Sequence, residues 1–386
     1  MSLFKTLANN GSKVQGALLL HLNARHDIKT LKDYGVEEAA TLIGITPQWL
    51  RNQEAIGVVP QPRRIRNGTV EKRQYSLKEI NELRLRFGLE KKRPTRAFTA
   101  VFTNLKGGCG KSTSAVHFAQ YVALQGYRTL LIDMDPQGTA TGAFGYIPDS
   151  DLSSSDTILA ALDDPDAIRS VIRKTYWDQL DLIPAQLGLQ EAETRLRLHG
   201  AIHLLSTKYG VEFDEAAIRA IPSNEATRLR DAIDEIAADY DIIVIDTPPA
   251  VGMLSVNATM AADHLVIPMA PYMYDFSSSL QCFRVMDALS NYNQPPAESL
   301  SILLNRHEES NKECATATSY IRAAYNERVL SRAMVASVEL QRDGMDQCTL
   351  YEIAQPRGSR AAFQRALEAM NAVNKELLDT ITASWK

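Results

Sequence analysis

Two lysines, a serine and two aspartates are spaced to handle phosphate. The run Asn104-Leu105-Lys106-Gly107-Gly108-Cys109-Gly110-Lys111-Ser112-Thr113 sets glycines among lysines and hydroxyls. Glycines let successive backbone N–H groups converge on an anion, and a helix starting there adds the positive end of its dipole. In such a loop the lysine reaches the terminal phosphates and the next hydroxyl holds Mg²⁺. Those roles fall on Lys111 and Ser112, with the backbone of Gly107, Gly108, Cys109, Gly110 and Thr113 as the cradle. The usual pattern G-x-x-x-x-G-K-[ST] is incomplete, because Leu105 stands where its first glycine belongs and a second lysine, Lys106, stands inside the loop. Downstream, Asp135 and Asp246 each lie at or just past the end of an apolar run. A carboxylate at the C-terminal end of a parallel strand beside a phosphate loop lies where the γ-phosphate, Mg²⁺ and attacking water meet.

Positioning these groups requires alternating strands and helices. Strands are predicted over 97–103, 129–133, 241–246, 264–269 and 301–306, from short apolar runs rich in β-branched residues. Helices are predicted over 113–124, 226–238, 277–289 and 359–381. Alternation of this kind predicts an α/β fold, a mostly parallel, doubly wound sheet with helices on both faces.

The 386 residues exceed one ordinary domain. Hydrophobic content of 45% and charged content of 23% are those of a soluble globular chain. There is no uncharged apolar run of the ~18 residues that a membrane span needs, and the first residues lack a signal-peptide core. Four scattered cysteines make no C-x-x-C, which argues against a zinc ribbon and fits a reducing cytosol. Charge is unevenly placed: residues 1–96 carry 18 Lys and Arg against 9 Asp and Glu, and the rest carry 24 against 37. A basic module ahead of an acidic one predicts an anionic partner for the first.

Within that module, residues 1–34 read as helix, clearest over 14–24, where Val14, Leu18 and Leu22 share a face. So short a piece must pack on the next domain or on a second copy of itself. A short helix over 36–43, the turn Gly44-Ile45-Thr46, and a second helix capped by Thr46 with Pro47 at its first position form a helix-turn-helix. Gln48, Arg51, Asn52 and Gln53 place base-reading groups on the second helix. Asn67-Gly68 is a hairpin signal flanked by Arg63, Arg64, Arg66, Lys72 and Arg73, a basic wing for phosphate or the minor groove. Ser76 caps a further helix over 77–87, and 88–96 is a linker. The expected division is therefore an N-terminal helix (1–34), a winged helix-turn-helix with its linker (35–96) and a nucleotide domain (97–386).

Lys106-Gly107-Gly108-Cys109-Gly110-Lys111-Ser112 is similar to the deviant Walker A motif, K-G-G-x-G-K-[ST], of the ParA/MinD ATPases. Asp133-Met134-Asp135-Pro136-Gln137-Gly138 resembles that family's D-x-D-P-Q-G/A switch, and Ile245-Asp246-Thr247-Pro248-Pro249 resembles its Walker B segment. With a winged module in front, the chain resembles type Ia ParA proteins of plasmid partition, and the ParA-like RepA of replication-partition operons. The resemblance implies that Lys106 crosses an ATP-sandwiched homodimer to the partner's nucleotide, that Asp135 positions water and that Asp246 serves Mg²⁺. It also implies that Asn305 and Arg306, at a strand end, contact adenine. ATP-bound dimers of the family bind DNA without sequence preference, which needs a basic face; Arg342, Arg357, Arg360 and Arg365 are candidates.

These readings converge on a slow ATP hydrolase, cytoplasmic and nucleoid-associated, that uses ATP/ADP and Mg²⁺. It would partition DNA as a homodimer, answer to a ParB-like adaptor and repress its own operon. Three alternatives stand beside it: a transcription or replication regulator that uses nucleotide as a switch, a MinD-like membrane-associated ATPase, and an iron-sulfur reductase relative, which would need paired cysteines that this chain lacks. The second would need a membrane-binding tail. The last helix interrupts its cations with Glu368, Glu376 and Asp379, so core or dimer packing is expected there instead. His199 and His203 have helical metal-ligand spacing but lack the acidic or cysteine partners of a metal site. Cys109 is read as incidental to the loop's chemistry.

Overall fold

The computed structural model describes residues 3–67, 70–196, 225–289, 297, 299–308, 310–340, 348–356 and 358–385. Gly68, His199, His203, Arg342 and Arg357 lie outside the described residues, so the expectations attached to them do too.

Chain order begins with α1 (Leu3–His21), β1 (Tyr34–Gly35), α2 (Val36–Ile43) and α3 (Pro47–Ala55). Then come β2 (Arg63–Asn67), β3 (Val70–Tyr75) and α4 (Leu77–Phe87). The α2–α3 corner forms as its residues dictate. Gly44 takes a left-handed φ of +91° to end α2, and the Thr46 hydroxyl accepts from the Trp49 N–H to start α3. β2 and β3 form an antiparallel hairpin, and β1 joins it through Tyr34 opposite Tyr75. Ser76 and Glu79 close a capping box on α4.

The second layer system is a seven-stranded sheet, built from β4 (Phe98–Phe102), β5 (Thr129–Asp133), β6 (Arg173–Lys174), β7 (Leu180–Ile183), β8 (Ile242–Asp246), β9 (His264–Met269) and β10 (Leu300–Leu304). Its order is β10-β9-β4-β8-β5-β7-β6, parallel throughout except for β6 on β7. Its principal helices are α5 (Lys111–Leu124), α6 (Thr139–Ala143), α7 (Arg228–Asp234), α8 (Met253–Ala261), α9 (Met273–Leu289), α10 (Lys312–Tyr325) and α11 (Arg360–Ala383). This is the expected mostly parallel α/β sheet. Strands buried on both faces read as continuous apolar runs, which is why Ile242-Ile243-Val244-Ile245 was legible as a strand. α11 buries Phe363, Ala366, Met370, Val373, Leu377 and Ile381 in the main core, so its apolar face packs inward. No helix among the described residues is long and apolar enough to cross a membrane.

Several boundaries differ from expectation, among them α9, which starts at Met273 rather than 277, and β10, which ends at Leu304 rather than 306. α5 starts at Lys111 rather than 113, because the Gly110 carbonyl already accepts from Ser114 N–H. The helix expected over 226–238 is regular only over Arg228–Asp234. The N-terminal helix ends at His21, and its packed face is not Val14-Leu18-Leu22. Leu19 is buried with Ala24 against Ile147, and Leu22 packs beside them; Gly16 lies 3.6 Å from Ile147 at its Cβ position. Val14 and Leu18 stay exposed. A glycine contact carries no hydrophobic period, so the sequence pattern missed that face.

The N-terminal module does not stand apart. Tyr34, Leu50, Tyr75 and Ile80 belong to one continuous core with Phe102, Phe118, Trp177 and Leu350. Arg84, 3% exposed, runs from α4 to the C-terminal carbonyls of two helices, donating to Leu42 O and Leu124 O at 2.6 Å each. Cations belong at helix C-termini, where carbonyls lack partners. Burial pulls its guanidinium pKa down to about 10, which still leaves it charged.

Candidate functional site

β4 lies inside the sheet, with β8 on one side and β9 on the other. Register places Phe102 opposite Asp246, and Asp246 opposite Asp133. Both carboxylates therefore end their strands at one level, beside the loop 103–110 that links β4 to α5. This is the C-terminal edge of the sheet, where α/β proteins place ligands.

The loop is braced from below. Asn104 donates to Pro268 O at 2.8 Å and accepts from Lys106 N–H, which ties the loop to β9. Asn305, just past β10, donates to Cys109 O at 3.0 Å and lies 3.4 Å from Ser114 Oγ. Gly110 has φ +91°, and a Cβ there would fall 2.0 Å from Asn305 Nδ2, so only glycine fits. Gly108 is also left-handed, at φ +75°. Alternating hand along a short run turns its N–H groups to one side, the nest that binds anions. The Cys109 thiol is buried, sits 3.3 Å from Lys106 O, and is pushed up in pKa by that burial. A buried thiol of raised pKa is a poor nucleophile.

The two lysines are held differently. Lys111, 6% exposed, folds its ammonium back to Lys106 O at 3.0 Å. Lys106 reaches away from the loop and pairs with the buried Asp275 near the start of α9. No motif surrounds Asp275, so nothing in the sequence could have assigned it this contact.

Three carboxylates gather opposite Lys111. Asp133 is fully buried and accepts from Thr141 N–H and Oγ1 at 2.8 and 2.7 Å, and from Asp135 N–H at 3.1 Å. Burial pushes its pKa up to about 7 despite those donors. Asp135 is raised by burial and partly held down by the Gln137 N–H at 3.0 Å. Asp246 is fully buried, and among the described residues neither of its oxygens has a well-aligned hydrogen-bond partner. Burial first and the neighbouring Asp133 second push it well above the usual carboxylate range, while Ser112 and Lys111 pull the other way. A buried carboxylate without donors is costly unless a ligand completes it. The Ser112 hydroxyl beside it supplies the second oxygen, and an all-oxygen pair that shares its remaining positions with water and phosphate suits Mg²⁺.

Asn305 reaches the loop only through the Cys109 carbonyl and Ser114, and Arg306 turns outward at φ +53°. On the N-terminal module, Gln48 and Asn52 are exposed on α3 and bonded to each other at 2.9 Å. Arg51, Arg63, Arg64 and Arg73 pair with Glu37, Asp33, Glu71 and Glu54 at 2.6, 3.6, 3.4 and 2.7 Å. Arg66 and Lys72 are exposed and have no ion-pair partner among the described residues. Arg360 and Arg365 are exposed on α11.

Comparison with known proteins agrees with this geometry. The AAA domain family matches residues 98–295. Protein SopA of Escherichia coli strain K12 is 33% identical over 362 residues, 92% of this chain and 89% of SopA. The chromosome partitioning protein ParA of Myxococcus xanthus is 31% identical over 238 residues, 62% of this chain and 75% of that protein. A solved structure described as a partition protein shares the fold at a TM-score of 0.65 and 19% identity, covering 98% of this chain and 97% of its own. With its two-lysine loop, its strand-end aspartates and these similarities, the chain belongs to the ParA/MinD-type P-loop ATPases.

Proposed function

We propose that this protein is a DNA-partition ATPase in which ATP closes a homodimer and the dimer binds DNA without sequence preference. A ParB-like adaptor on the cargo DNA stimulates slow hydrolysis. The observation that carries this reading is the division of labour between the lysines. Lys111 is folded over its own loop, whereas Lys106 is held at the side by Asp275, free to exchange that carboxylate for a phosphate presented by a second copy. A positive charge delivered by the other subunit makes dimerisation depend on ATP and stabilises charge that develops in hydrolysis.

Ser112 and Asp246 would hold Mg²⁺, which when bound neutralises charge on the β- and γ-phosphates. Asp135 would orient the attacking water, its carboxylate buried within reach of the Lys111 charge. Lys106→Ala should keep nucleotide binding and lose ATPase, while Lys111→Ala should lose binding itself. Calorimetric titration with ADP alongside steady-state turnover separates the two, and full turnover in the Lys106 variant would remove the role in trans.

The N-terminal module serves as a winged helix-turn-helix that binds operator DNA and represses the protein's own operon, with α3 toward the groove and the β2–β3 hairpin as the wing. Ion pairs offset the charge of several wing arginines, which leaves Arg66 and Lys72 as the strongest phosphate contacts. Because this module shares its core with the ATPase, deleting residues 1–96 would expose apolar surface, so substitutions test it better. Arg66→Ala/Lys72→Ala should reduce the slope of log affinity against log salt by about 2, near 0.9 for each lost phosphate contact. Basal ATPase should not change. An unchanged slope on a promoter fragment of the protein's own operon would remove the wing.

The exposed Phe4, Leu7, Val14 and Leu18 on α1 support packing of that face on a second copy, while Gly16 and Leu19 hold the helix to its own ATPase. Arg342, Arg357, Arg360 and Arg365 would supply the nonspecific DNA face.

A further inference from the structure

We propose that Thr141 is a positioning residue for hydrolysis: its hydroxyl locks Asp133, and Asp133 in turn fixes the backbone of Asp135. The inference rests on the reading of Asp135 as the carboxylate that orients the attacking water. Thr141 is the third residue of α6 and is fully buried. A threonine in a helix commonly returns its hydroxyl to a carbonyl one turn back. Thr141 turns away instead. Its Oγ1 lies 2.7 Å from Asp133 Oδ2 and accepts from Ala185 N–H at 2.8 Å. Because that amide can only donate, the hydroxyl proton is left for the carboxylate. Thr141 N–H donates to the same oxygen at 2.8 Å. With Oδ2 held by two donors, Oδ1 faces Asp135 N–H at 3.1 Å.

Ala185 lies just past β7, which pairs with β5, so the hydroxyl is anchored to the sheet rather than to the switch itself. The backbone of Asp135 is then pinned on both sides, its N–H on Asp133 and its carbonyl on Gly138 N–H at 2.8 Å. Its Oδ1 accepts from Gln137 N–H at 3.0 Å. Gly138 closes the turn at φ +63°, where a Cβ would fall 2.6 Å from Pro148 Cγ. A carboxylate that aims a water must be held closely, since a misplacement of about 1 Å costs on the order of 100-fold in rate. Phosphate binding falls instead to the loop 103–110 and Lys111, and among the described residues no hydrogen bond joins Thr141 to them. The clasp therefore acts on turnover and leaves nucleotide affinity alone.

Thr141→Val keeps the side-chain shape and removes the hydroxyl. At saturating ATP it should lower kcat about tenfold, part of what a full ångström of misplacement costs, while calorimetry gives an unchanged Kd for ADP. Thr141→Ser restores the hydroxyl without the methyl and should return kcat to near the wild-type value. Asp133→Asn breaks the clasp at its next link. Whichever way the amide faces, its NH2 cannot accept, so either Thr141 N–H or Asp135 N–H loses its acceptor. Removing a buried charge favours folding of this variant, so it carries the test should Thr141→Val fail to fold. The same loss of kcat at unchanged ADP affinity is expected, with faster amide hydrogen exchange across residues 133–138 in both variants. Asp135→Ala is the reference and should lose turnover. If it does so while Thr141→Val and Asp133→Asn keep wild-type kcat, the clasp has no positioning role and the reading of Asp135 stands. A serine variant as slow as the valine variant, or ADP affinity lost in proportion to kcat, also overturns the inference. If Asp135→Ala turns over normally, both fall.

Discussion

Replacing Asp246 by asparagine is expected to cut Mg²⁺-dependent ATPase by about 10–100-fold and, at the same time, to stabilise the nucleotide-free protein at neutral pH. The activity loss follows from the role proposed for it with Ser112 in holding Mg²⁺, where losing an outer-shell carboxylate would have an effect of that size. The stability gain follows from burial. Asp246 is buried next to Asp133 with no aligned donor for either oxygen, and both carboxyls are pushed up in pKa. A carboxyl whose pKa is raised by folding holds its proton more tightly folded than unfolded. Its contribution is therefore favourable at low pH and is lost as pH rises from the unfolded value of 3.8 through the folded one. For Asp133 that window runs from 3.8 to about 7. The wild-type apo protein should thus lose stability across this range, and Asp246→Asn should flatten the loss. Thermal unfolding without nucleotide should give a higher Tm for the variant at pH 7.5, with the gap narrowing at pH 5. Mg²⁺ and ATP should then stabilise the wild type more than the variant. A variant that is no more stable at pH 7.5 would mean that the buried pair is already relieved in the apo protein.

The parts of this site that lie close together in the chain were legible. Asp246 follows four apolar β-formers, and Lys106 through Ser112 sit between a strand and a helix, so local pattern and chemistry point the same way. Thr46, Ser76 and Gly44 announced helix ends by capping chemistry alone. Contacts that depend on packing between distant elements were not legible. Asn305 reads as a ligand-facing residue at a strand end, yet its amide braces the phosphate loop from beneath, because β10 lies only two strands from β4. Asp275 has no motif around it, and it meets Lys106 only because α9 follows β9, the neighbour of β4. The N-terminal module reads as separable because its composition and charge change at residue 96, but Tyr34, Ile80 and Arg84 commit it to the ATPase core. Charge asymmetry reports on the surface and says nothing of which apolar faces meet.

The strongest instance of that commitment gives the second large effect: Lys29→Met should destabilise the whole protein by about 3 kcal/mol, the low end of the range for breaking a buried ion pair. Lys29 lies between α1 and β1, and its ammonium is 3.0 Å from Glu352, with the two side chains only 4% and 3% exposed. It also donates to Ala143 O at 2.8 Å, at the end of α6, and faces the Tyr176 ring at 5.1 Å. Glu352 in turn accepts from Trp177 Nε1 at 3.1 Å, Thr349 N–H at 2.8 Å, Gln120 Nε2 at 3.3 Å and the Tyr176 hydroxyl. Those donors remain when Lys29 is lost, which is why the low end applies. The carboxylate would nevertheless be left buried and charged without its cation, and Ala143 O would lose its donor. Converting the partner should therefore recover part of the loss: Lys29→Met/Glu352→Gln removes the unpaired charge and keeps one acceptor oxygen for Trp177, Gln120 and Tyr176, at the cost of the Thr349 N–H bond. Urea unfolding of the two variants measures this directly. A single variant within 1 kcal/mol of wild type, or a double variant no better than the single, would mean that the pair does not hold the N-terminal segment to the end of α6. The location matters because Asp133 binds Thr141 within α6, and Gly145 just beyond accepts from His26 N–H at 3.0 Å. The segment from Ala24 to Lys29 is thus clasped to the helix that follows the switch Asp133-Met134-Asp135. The same substitution should accordingly loosen the switch and raise amide hydrogen exchange across residues 139–145 as well as 24–35.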